Sequence, residues 1–365
     1  MYNDEFLNKK LNERKQQNAF RTLRIIKDKI DFCSNDYLGI VKNNLLQLST
    51  DNCQLRIGST GSRLLSGNYK LIEETEKEIA IFHQSQAALI FNSGYDANVG
   101  LLSSIPQRGD TILYDFLLHA SIRDGIRLSF AESFSFAHND VNDLEKKLNH
   151  AKGNIFVVTE SVFSMDGDIC PLQQLIQVCK KYNAHLIIDE AHATGVVGER
   201  GEGLVQHLQL QDTIFARLHT FGKACGCHGA AVLGSQRLKD YLINFARSFI
   251  YSTALPEHTA AIIKRSYETF PCLHNERKHL HQLIHFFQSA NIPFEKLSSS
   301  TPIQVVIVPG NDAIKILSER LQQKKFDVRP ILYPTVQKGK ERLRIVLHSF
   351  NSEREVESLV NELKK

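Results

Sequence analysis

The sequence predicts an α/β protein whose larger part is a mostly parallel β-sheet covered by helices. From about residue 70 onward, short apolar runs alternate with amphipathic stretches, which is the rhythm of βαβ units. The apolar runs are continuous, as in strands that are buried on both faces. Polar residues follow directly after several runs, and ligands of such sheets bind beyond the carboxyl ends of the strands. We therefore expect one edge of the sheet to carry the chemistry.

Three parts are predicted along the chain. Residues 1–45 form an N-terminal arm, in which a charged helix precedes a strand within "KIDFCSNDYLGI". Residues 46–255 form a large domain with strands in "AALIFNS", "TILYD", "SFSFA", "NIFVVTES", "HLIIDEA", "IFARLHT" and "GAAVLG". Residues 256–365 form a small α+β domain with strands in "PIQVVIVPG", "FDVRPIL" and "RLRIVLH" and helices near 312–324 and 352–364.

Composition excludes several classes of protein. The 365 residues carry 44 basic and 40 acidic side chains, a net charge of +4 that is too weak for a dedicated nucleic-acid binder. Seven cysteines, an odd number in a chain of this size, do not indicate a disulfide framework. The charged N-terminus is unlike a signal peptide, and no apolar run reaches the ~18 residues of a membrane span. We expect a cytoplasmic protein that neither binds nucleic acid nor spans a membrane.

The stretch "LIIDEAHAT" at 186–194 contains an Asp-Glu-Ala-His sequence that also occurs in nucleotide-hydrolysing enzymes. Such enzymes need a phosphate-binding loop of the form G-x-x-x-x-G-K-[ST]. Here the Gly-Lys pairs at 222–223 and 339–340 are followed by Ala and Glu. The sequence therefore excludes the nucleotide interpretation.

Pyridoxal phosphate offers a better explanation of the aspartate. This cofactor needs a lysine that forms a Schiff base and a carboxylate that keeps the pyridine nitrogen protonated. Asp189 follows the apolar run "HLII", and Lys223 follows "LHTFG" 34 residues later, after one crossover and one more strand. Both side chains should therefore emerge at the same edge of the sheet.

Eight motifs in order resemble the α-oxoamine synthases, pyridoxal-phosphate enzymes of fold type I. The motifs are "FCSNDYLG", "GSTGSRLLSGN", "FNSGYDAN", "FAHNDVNDLE", "TESVFSMDGDICPL", "DEAHATGVVGERGEG", "HTFGKACGCHGAAVLG" and "RLRIVL". The resemblance runs from about residue 20 to the C-terminus. It implies a large domain with a mostly parallel sheet, a smaller α+β C-terminal domain, and a homodimer with the active site at the subunit interface.

Three motifs favour one branch of this family. "HNDVNDLE", "FSMDGDICPL" and "PTVQKGKERLR" are similar to the branch that condenses L-alanine with a pimeloyl thioester, carried by CoA or a carrier protein, in biotin biosynthesis. Branches that join glycine to an acetyl group or serine to a long acyl chain share most other motifs and remain alternatives. An inactive partner subunit is a third alternative, but such a subunit is expected to lack Lys223.

The resemblance implies roles for four residues at the cofactor ring. Lys223 would form the Schiff base and then act as the acid and base at the amino-acid Cα. Asp189 would pair with the pyridinium nitrogen, and His192 would hydrogen-bond the phenolic oxygen. His119 would stack on the ring. Glu190, inside the same motif as Asp189, is assigned no chemistry.

The remaining predicted residues are implied by the same resemblance. Ser164 would lie near the phenolic oxygen. Three residues of one subunit would hold the cofactor phosphate, namely Gly94, Tyr95 and Thr220. Ser252 and Thr253 would reach the phosphate that is bound in the other subunit. The substrate-binding residues would be Arg344, which clamps the amino-acid carboxylate, its neighbour Asn35, Arg21 and Thr335.

Some features depart from the family pattern or allow simpler interpretations. Thr60 stands where glycine is common, and "RPILYPTV" replaces a shorter proline-rich motif; both put the shape of the acyl pocket in doubt. Taken singly, Asp189 could cap a helix, and a histidine is usually structural. Cys225, Cys227 and His228 form one close group without a distant second pair, so no metal site is predicted.

Overall fold

The computed structural model describes residues 2–25, 27–48 and 55–365. The chain forms two compact units. The first comprises Met1–Tyr37, Met165–Asp168 and Lys278–Lys365, and the second comprises Leu38–Ser164 and Ile169–Arg277. The first unit therefore combines the two ends of the chain. Within the described residues, we find no helix that is both long and apolar enough to cross a membrane.

Strands and helices alternate along most of the chain. The strands are β1 Ile30–Asp31, β2 Ala87–Phe91, β3 Thr111–Asp115, β4 Glu132–Phe136, β5 Ile155–Glu160, β6 His185–Asp189, β7 Ala216–Thr220, β8 Ala230–Gly234, β9 Glu295–Lys296, β10 Ile303–Ile307, β11 Phe326–Asp327, β12 Arg329–Ile331 and β13 Arg342–Val346. The α-helices are α1 Asn8–Gln16, α2 Lys70–Phe82, α3 Gly94–Ser104, α4 Ala120–Leu128, α5 Val141–Leu148, α6 Leu172–Lys181, α7 Leu204–His207, α8 Gln236–Phe245, α9 Arg247–Ile250, α10 Glu257–Thr269, α11 His274–Ser289, α12 Asn311–Gln323 and α13 Glu353–Leu363.

The second unit is built on a seven-stranded sheet in the order β2-β8-β7-β6-β5-β3-β4. Strands β4, β3, β5, β6 and β7 pair in parallel, whereas β8 is antiparallel to both of its neighbours. Every residue of β2 and β7 is buried, as expected for strands that are covered on both faces. The prediction of a mostly parallel sheet with covering helices is confirmed.

The covering helices are amphipathic, and α6 illustrates why the sequence forms them. Its buried residues are Leu172, Leu175, Ile176 and Cys179, a 3-4 spacing that places one apolar stripe on one side of a helix. The basic residues Lys180 and Lys181 lie in its last turn, where their positive charges interact favourably with the negative end of the helix dipole.

The first unit contains a four-stranded antiparallel sheet in the order β12-β13-β10-β9 and a separate two-stranded ladder. In the ladder, β1 pairs in parallel with β11, with Ile30 opposite Phe326. The main-chain N–H of Val346 also donates to the carbonyl of Phe32 at 2.9 Å. These contacts place the segment around residues 30–37 beside the end of β13.

Candidate active site

Three parallel strands of the second unit end side by side with polar residues. Glu160 at the end of β5 is the register partner of Asp189 at the end of β6, and Asp189 is opposite Leu218 of β7. Thr220 ends β7, and Lys223 follows it with its Nζ 3.5 Å from Thr220 Oγ1. The structure therefore brings together the predicted lysine, aspartate and threonine at one edge of the sheet.

Lys223 lies on the short connection between β7 and β8. The connection is closed by hydrogen bonds from the N–H of Phe221 to the carbonyl of Gly229 (2.9 Å) and from the N–H of Cys227 to the carbonyl of Phe221 (2.7 Å). The N–H of Gly226 donates to the carbonyl of Lys223 itself at 2.9 Å. Glycine is suited to position 226 because its φ of +64° lies in the left-handed region.

Asp189 is a buried carboxylate with two fixed donors. Its Oδ1 accepts the main-chain N–H of Ala191 at 2.8 Å, and its Oδ2 accepts from Nδ2 of Asn98 at 2.8 Å. Asn98 is itself buried in α3. Because hydrogen bonds to a charged group are stronger than neutral ones, this arrangement holds the carboxylate in one orientation.

A hydrogen-bonded chain connects Asp189 to His119. Nδ2 of Asn98 also donates to Ser121 Oγ at 3.0 Å, and Ser121 Oγ lies 2.7 Å from His119 Nδ1. The main-chain N–H of Ser121 also donates to this Nδ1 at 3.2 Å, so the Nδ1 atom is an acceptor and the neutral ring carries its proton on Nε2. Burial lowers the pKa of His119, and the positive Lys223 lowers it further, whereas Asp189 raises it.

Glu160 is a candidate site residue that the sequence placed at a strand end without assigning it a role. Its Oε1 accepts the main-chain N–H of His119 at 2.6 Å, and its Oε2 accepts that of Ser164 at 3.3 Å. Burial, followed by the nearby Asp189, raises the pKa of Glu160 to about 8. The side chain therefore orients the turn that carries His119.

The start of α3 lies beside Thr220. Ser93 caps this helix by accepting the N–H of Asp96 at 3.1 Å, and the first N–H groups of a helix have no partner within it. A Cβ on Gly94 would lie 2.5 Å from Thr220 Cγ2, so only glycine allows this close approach. Helix N-termini bind phosphate through their N–H groups and dipole.

Five further predicted cofactor residues lie in the same unit. His192 and Ser164 are buried, whereas Tyr95 is exposed on α3. Ser252 and Thr253 follow α9, and the carbonyl of Thr253 accepts from Nδ2 of Asn92 at 2.8 Å. Their roles stay predictions.

The predicted carboxylate-binding residues belong to the first unit. Nη2 of Arg344 donates to Asn35 Oδ1 at 3.1 Å, and the hydroxyl of Tyr37 donates to the same oxygen at 3.2 Å. Burial raises the pKa of Tyr37 to about 12, so its hydroxyl remains a donor. With Oδ1 engaged, the amide nitrogen of Asn35 and the Arg344 guanidinium are the donors that suit a carboxylate.

Arg21 and Thr335 also contact each other. Nη2 of Arg21 donates to Thr335 Oγ1 at 3.1 Å, so two positions that are 314 residues apart form one polar group in the first unit. Arg342, two residues before Arg344, is buried and forms an ion pair with Asp166. Its charge is therefore already compensated.

Glu190 is fully buried. The sequence assigned this residue no chemistry and did not predict its burial. Its Oε1 accepts the N–H of Val205 at the start of α7 at 3.0 Å. A Cβ on Gly203 would lie 2.1 Å from its Oε2, so the main chain packs directly on this carboxyl. Burial raises the pKa of Glu190 to about 7.

These residues fit pyridoxal phosphate. The buried Asp189 carboxylate matches a ring nitrogen, the start of α3 with Thr220 matches a phosphate, and Lys223 provides the amine. Across the described ranges, no group of three or more His, Cys, Asp or Glu side chains is arranged to hold a metal ion.

Comparison with known proteins agrees with this geometry. The family model of class I and II aminotransferases matches residues 27–363. The chain is 38% identical to 8-amino-7-oxononanoate synthase of Marinobacter nauticus, over 98% of this chain and 95% of the relative. Among solved structures, 8-amino-7-oxononanoate synthase from Francisella tularensis has a TM-score of 0.78 at 28% identity, covering 92% of this chain and 97% of that one.

A second solved structure is that of a serine palmitoyltransferase determined with pyridoxal phosphate. Its TM-score is 0.84 at 26% identity, covering 93% of this chain and 87% of that one. The chain therefore belongs to the class I and II aminotransferase family, and within it to the α-oxoamine synthases. The predictions of this family, of a fold type I architecture, of a transferase and of pyridoxal phosphate as the cofactor are confirmed.

Substitution of Asn98 tests the series of hydrogen bonds that connects Asp189 to His119. Asn98→Leu keeps the approximate volume but removes both donors, so we expect kcat/KM to fall about 10- to 100-fold, as for the loss of a hydrogen bond to a charged group. Steady-state kinetics and cofactor affinity would measure the loss. Ser104→Ala, at a buried position on the same helix, is the control, and equal kinetics for the two variants would contradict this prediction.

Glu190 offers a test of buried charge. Its pKa rises from 4.5 to about 7 on folding, so the folded chain holds this proton more tightly and loses stability as the pH rises through 7. Glu190→Gln should reduce the fall in the free energy of unfolding of the apoprotein between pH 5.5 and 8.5 by about 2 kcal/mol. Urea denaturation measures it. The exposed Glu357→Gln should leave the pH dependence unchanged, and an unchanged slope for Glu190→Gln would refute the assignment.

Proposed function

We propose that the protein condenses L-alanine with a pimeloyl thioester to give 8-amino-7-oxononanoate, carbon dioxide and a free thiol, as a step of biotin biosynthesis. The observation that carries the proposal is the placement of Lys223, Thr220 and the fixed Asp189 carboxylate at neighbouring strand ends. The relative from Marinobacter nauticus, which is 38% identical over almost the whole chain, supports this reaction over others in the family.

Bound pyridoxal phosphate supplies an electron sink that stabilises negative charge at the amino-acid Cα. Asp189, held by Asn98 and the N–H of Ala191, keeps a positive charge on the cofactor nitrogen. The Lys223 amine takes and returns the proton at Cα. His119 presents a flat, neutral ring whose Nδ1 is engaged by Ser121, and we assign it to stacking on the cofactor. His192 and Ser164 are assigned to the phenolic oxygen.

Substrate binding is assigned to residues of the first unit. The Arg344 guanidinium and the Asn35 amide, which are hydrogen-bonded to each other, hold the amino-acid carboxylate. A planar guanidinium matches a carboxylate through two parallel hydrogen bonds. We assign the hydrogen-bonded pair of Arg21 and Thr335 to the acyl substrate.

We also propose that the enzyme is a cytoplasmic homodimer in which Ser252 and Thr253 reach the cofactor phosphate of the other subunit. Large apolar side chains near these residues support a protein contact. Tyr251 is 72% exposed and Leu65, in the glycine-rich loop, is 85% exposed. Leu64, beside Leu65, is also 50% exposed, and exposed apolar side chains that lie together commonly mark protein interfaces.

Serine palmitoyltransferase activity is a second candidate, favoured by the structural similarity to that enzyme. The sequence similarity favours the pimeloyl reaction, since the curated relative of that function is 38% identical and the serine palmitoyltransferase is 26% identical. An inactive partner subunit is disfavoured because Lys223 and its supporting residues are all present.

Lys223 provides the direct test of the proposed chemistry. The purified holoenzyme should absorb visible light, and borohydride should fix the cofactor covalently on Lys223, which peptide mass spectrometry would detect. Lys223→Ala should lower turnover about 10²- to 10⁴-fold because the acid and base at Cα is lost. Lys180→Ala, an exposed lysine on α6, is the control. Absence of the chromophore, or labelling of other lysines instead, would refute the proposal.

The substrates are identified by testing each amino acid with each acyl donor. L-alanine, glycine and L-serine would each be combined with pimeloyl, acetyl and palmitoyl thioesters, and thiol release would be measured. Alanine with the pimeloyl donor should give the highest kcat/KM, by about tenfold or more over glycine, because one methyl group in a fitted pocket contributes that much. Preference for glycine with acetyl-CoA, or for serine with the palmitoyl donor, would assign the chain to another branch.

A further inference from the structure

His348 lies in the turn that follows β13, four residues after Arg344, and its side chain is fully buried. Nε2 of its ring lies 3.1 Å from Ser34 Oγ and 3.0 Å from the Ser34 carbonyl oxygen. Ser34 directly precedes Asn35, the residue assigned to the amino-acid carboxylate. One end of the imidazole therefore contacts the segment that carries a proposed substrate-binding amide.

The other end of the ring is fixed by Asn351. Nδ1 of His348 lies 3.1 Å from Asn351 Oδ1. The amide of Asn351 has a defined orientation, because its Oδ1 accepts the main-chain N–H of His348 at 2.9 Å and its Nδ2 donates to the carbonyl of Asp31 at 3.2 Å. An amide oxygen only accepts, so Nδ1 of His348 is the donor in this contact, and Nε2 accepts from the Ser34 hydroxyl. The ring also stacks on Phe350, with centroids 4.6 Å apart.

The segment that carries Ser34 and Asn35 is anchored on both sides of Ser34. Asp31 Oδ1 accepts the N–H groups of Cys33 and Ser34 at 2.8 and 2.9 Å, which forms a turn. The N–H of Ser349 donates to the carbonyl of Tyr37 at 2.9 Å. Between these two points, His348 connects Ser34 to the end of β13, the strand that carries Arg344.

We propose that His348 is a positioning residue: its Nε2 atom holds Ser34 and so orients the Asn35 amide beside Arg344 for the carboxylate of the amino-acid substrate. This inference rests on the proposed function, because it assumes that Arg344 and Asn35 bind that carboxylate. The inference assigns His348 no part in binding of the acyl thioester. A positioning role therefore affects binding of the amino acid and leaves binding of the thioester unchanged.

Two conservative variants separate this role from a merely structural one. Glutamine places its amide group near the position of Nε2, so His348→Gln retains a hydrogen bond to Ser34. Asparagine reaches only the position of Nδ1, so His348→Asn retains the contact with Asn351 and loses the one with Ser34. His279→Gln is the matched control, because His279 Nε2 contacts the carbonyl of Asn351 at 2.9 Å from α11 and does not involve Ser34.

The measurement is the dissociation constant of L-alanine, followed by the visible absorbance of the holoenzyme, together with KM for alanine and for the pimeloyl thioester. For His348→Asn we expect the dissociation constant and KM of alanine to rise about tenfold, as for the loss of one hydrogen bond that orients a charged contact. KM for the thioester should stay within about twofold of the wild-type value. His348→Gln and His279→Gln should bind alanine within about threefold of the wild type.

Several outcomes would overturn the inference. They are wild-type alanine binding in His348→Asn, equal losses in the Asn and Gln variants, and equal effects on alanine and thioester. If His348→Asn does not fold, Ser34→Ala removes the hydroxyl side of the same contact, and unchanged alanine binding in that variant would count against the role. A wild-type holoenzyme whose absorbance does not respond to alanine would instead refute the proposed function, so the two failures are distinguishable.

Discussion

The placement of one buried carboxylate, Asp189, determines how the active edge of the large sheet is built. A carboxylate inside a protein is stable only when donors replace its lost water. Asn98 and the N–H of Ala191 supply them. Asn98 also contacts Ser121, and Ser121 contacts His119. The need of Asp189 for hydrogen-bond donors therefore connects residues from β6, α3 and the start of α4 in a single network.

A second carboxyl, Glu160, is the register neighbour of Asp189 on the adjacent strand. Two like charges in a low-dielectric region cannot both be accommodated at low cost. Burial and the neighbouring Asp189 raise the pKa of Glu160 to about 8, which favours the neutral form of Glu160. Parallel strands that end together thus place two carboxyl groups side by side, and Glu160 also accepts the main-chain N–H of His119.

The sequence predicted the parts of this arrangement that depend on local pattern. Apolar runs placed the strands within a few residues, and the strand ends located Asp189 and Thr220. The support residues were not predictable in this way. Asn98 is a polar residue in the middle of α3, and its partner Asp189 is 91 residues away. The contact between Ser34 and His348 spans 314 residues. Periodicity carries no information about such pairs, since they depend on how distant elements pack.

The antiparallel direction of β8 has a consequence for the lysine. A parallel successor to β7 would require a crossover of a dozen or more residues, whereas an antiparallel one needs only a short reversal. Lys223 therefore lies on a loop of nine residues, 221–229, that is closed by hydrogen bonds from Phe221 to Gly229 and from Cys227 to Phe221. A short closed loop has little conformational entropy left to lose. The reversal of a single strand thus keeps Lys223 on a short closed loop, with its amine beside Thr220 at the end of β7.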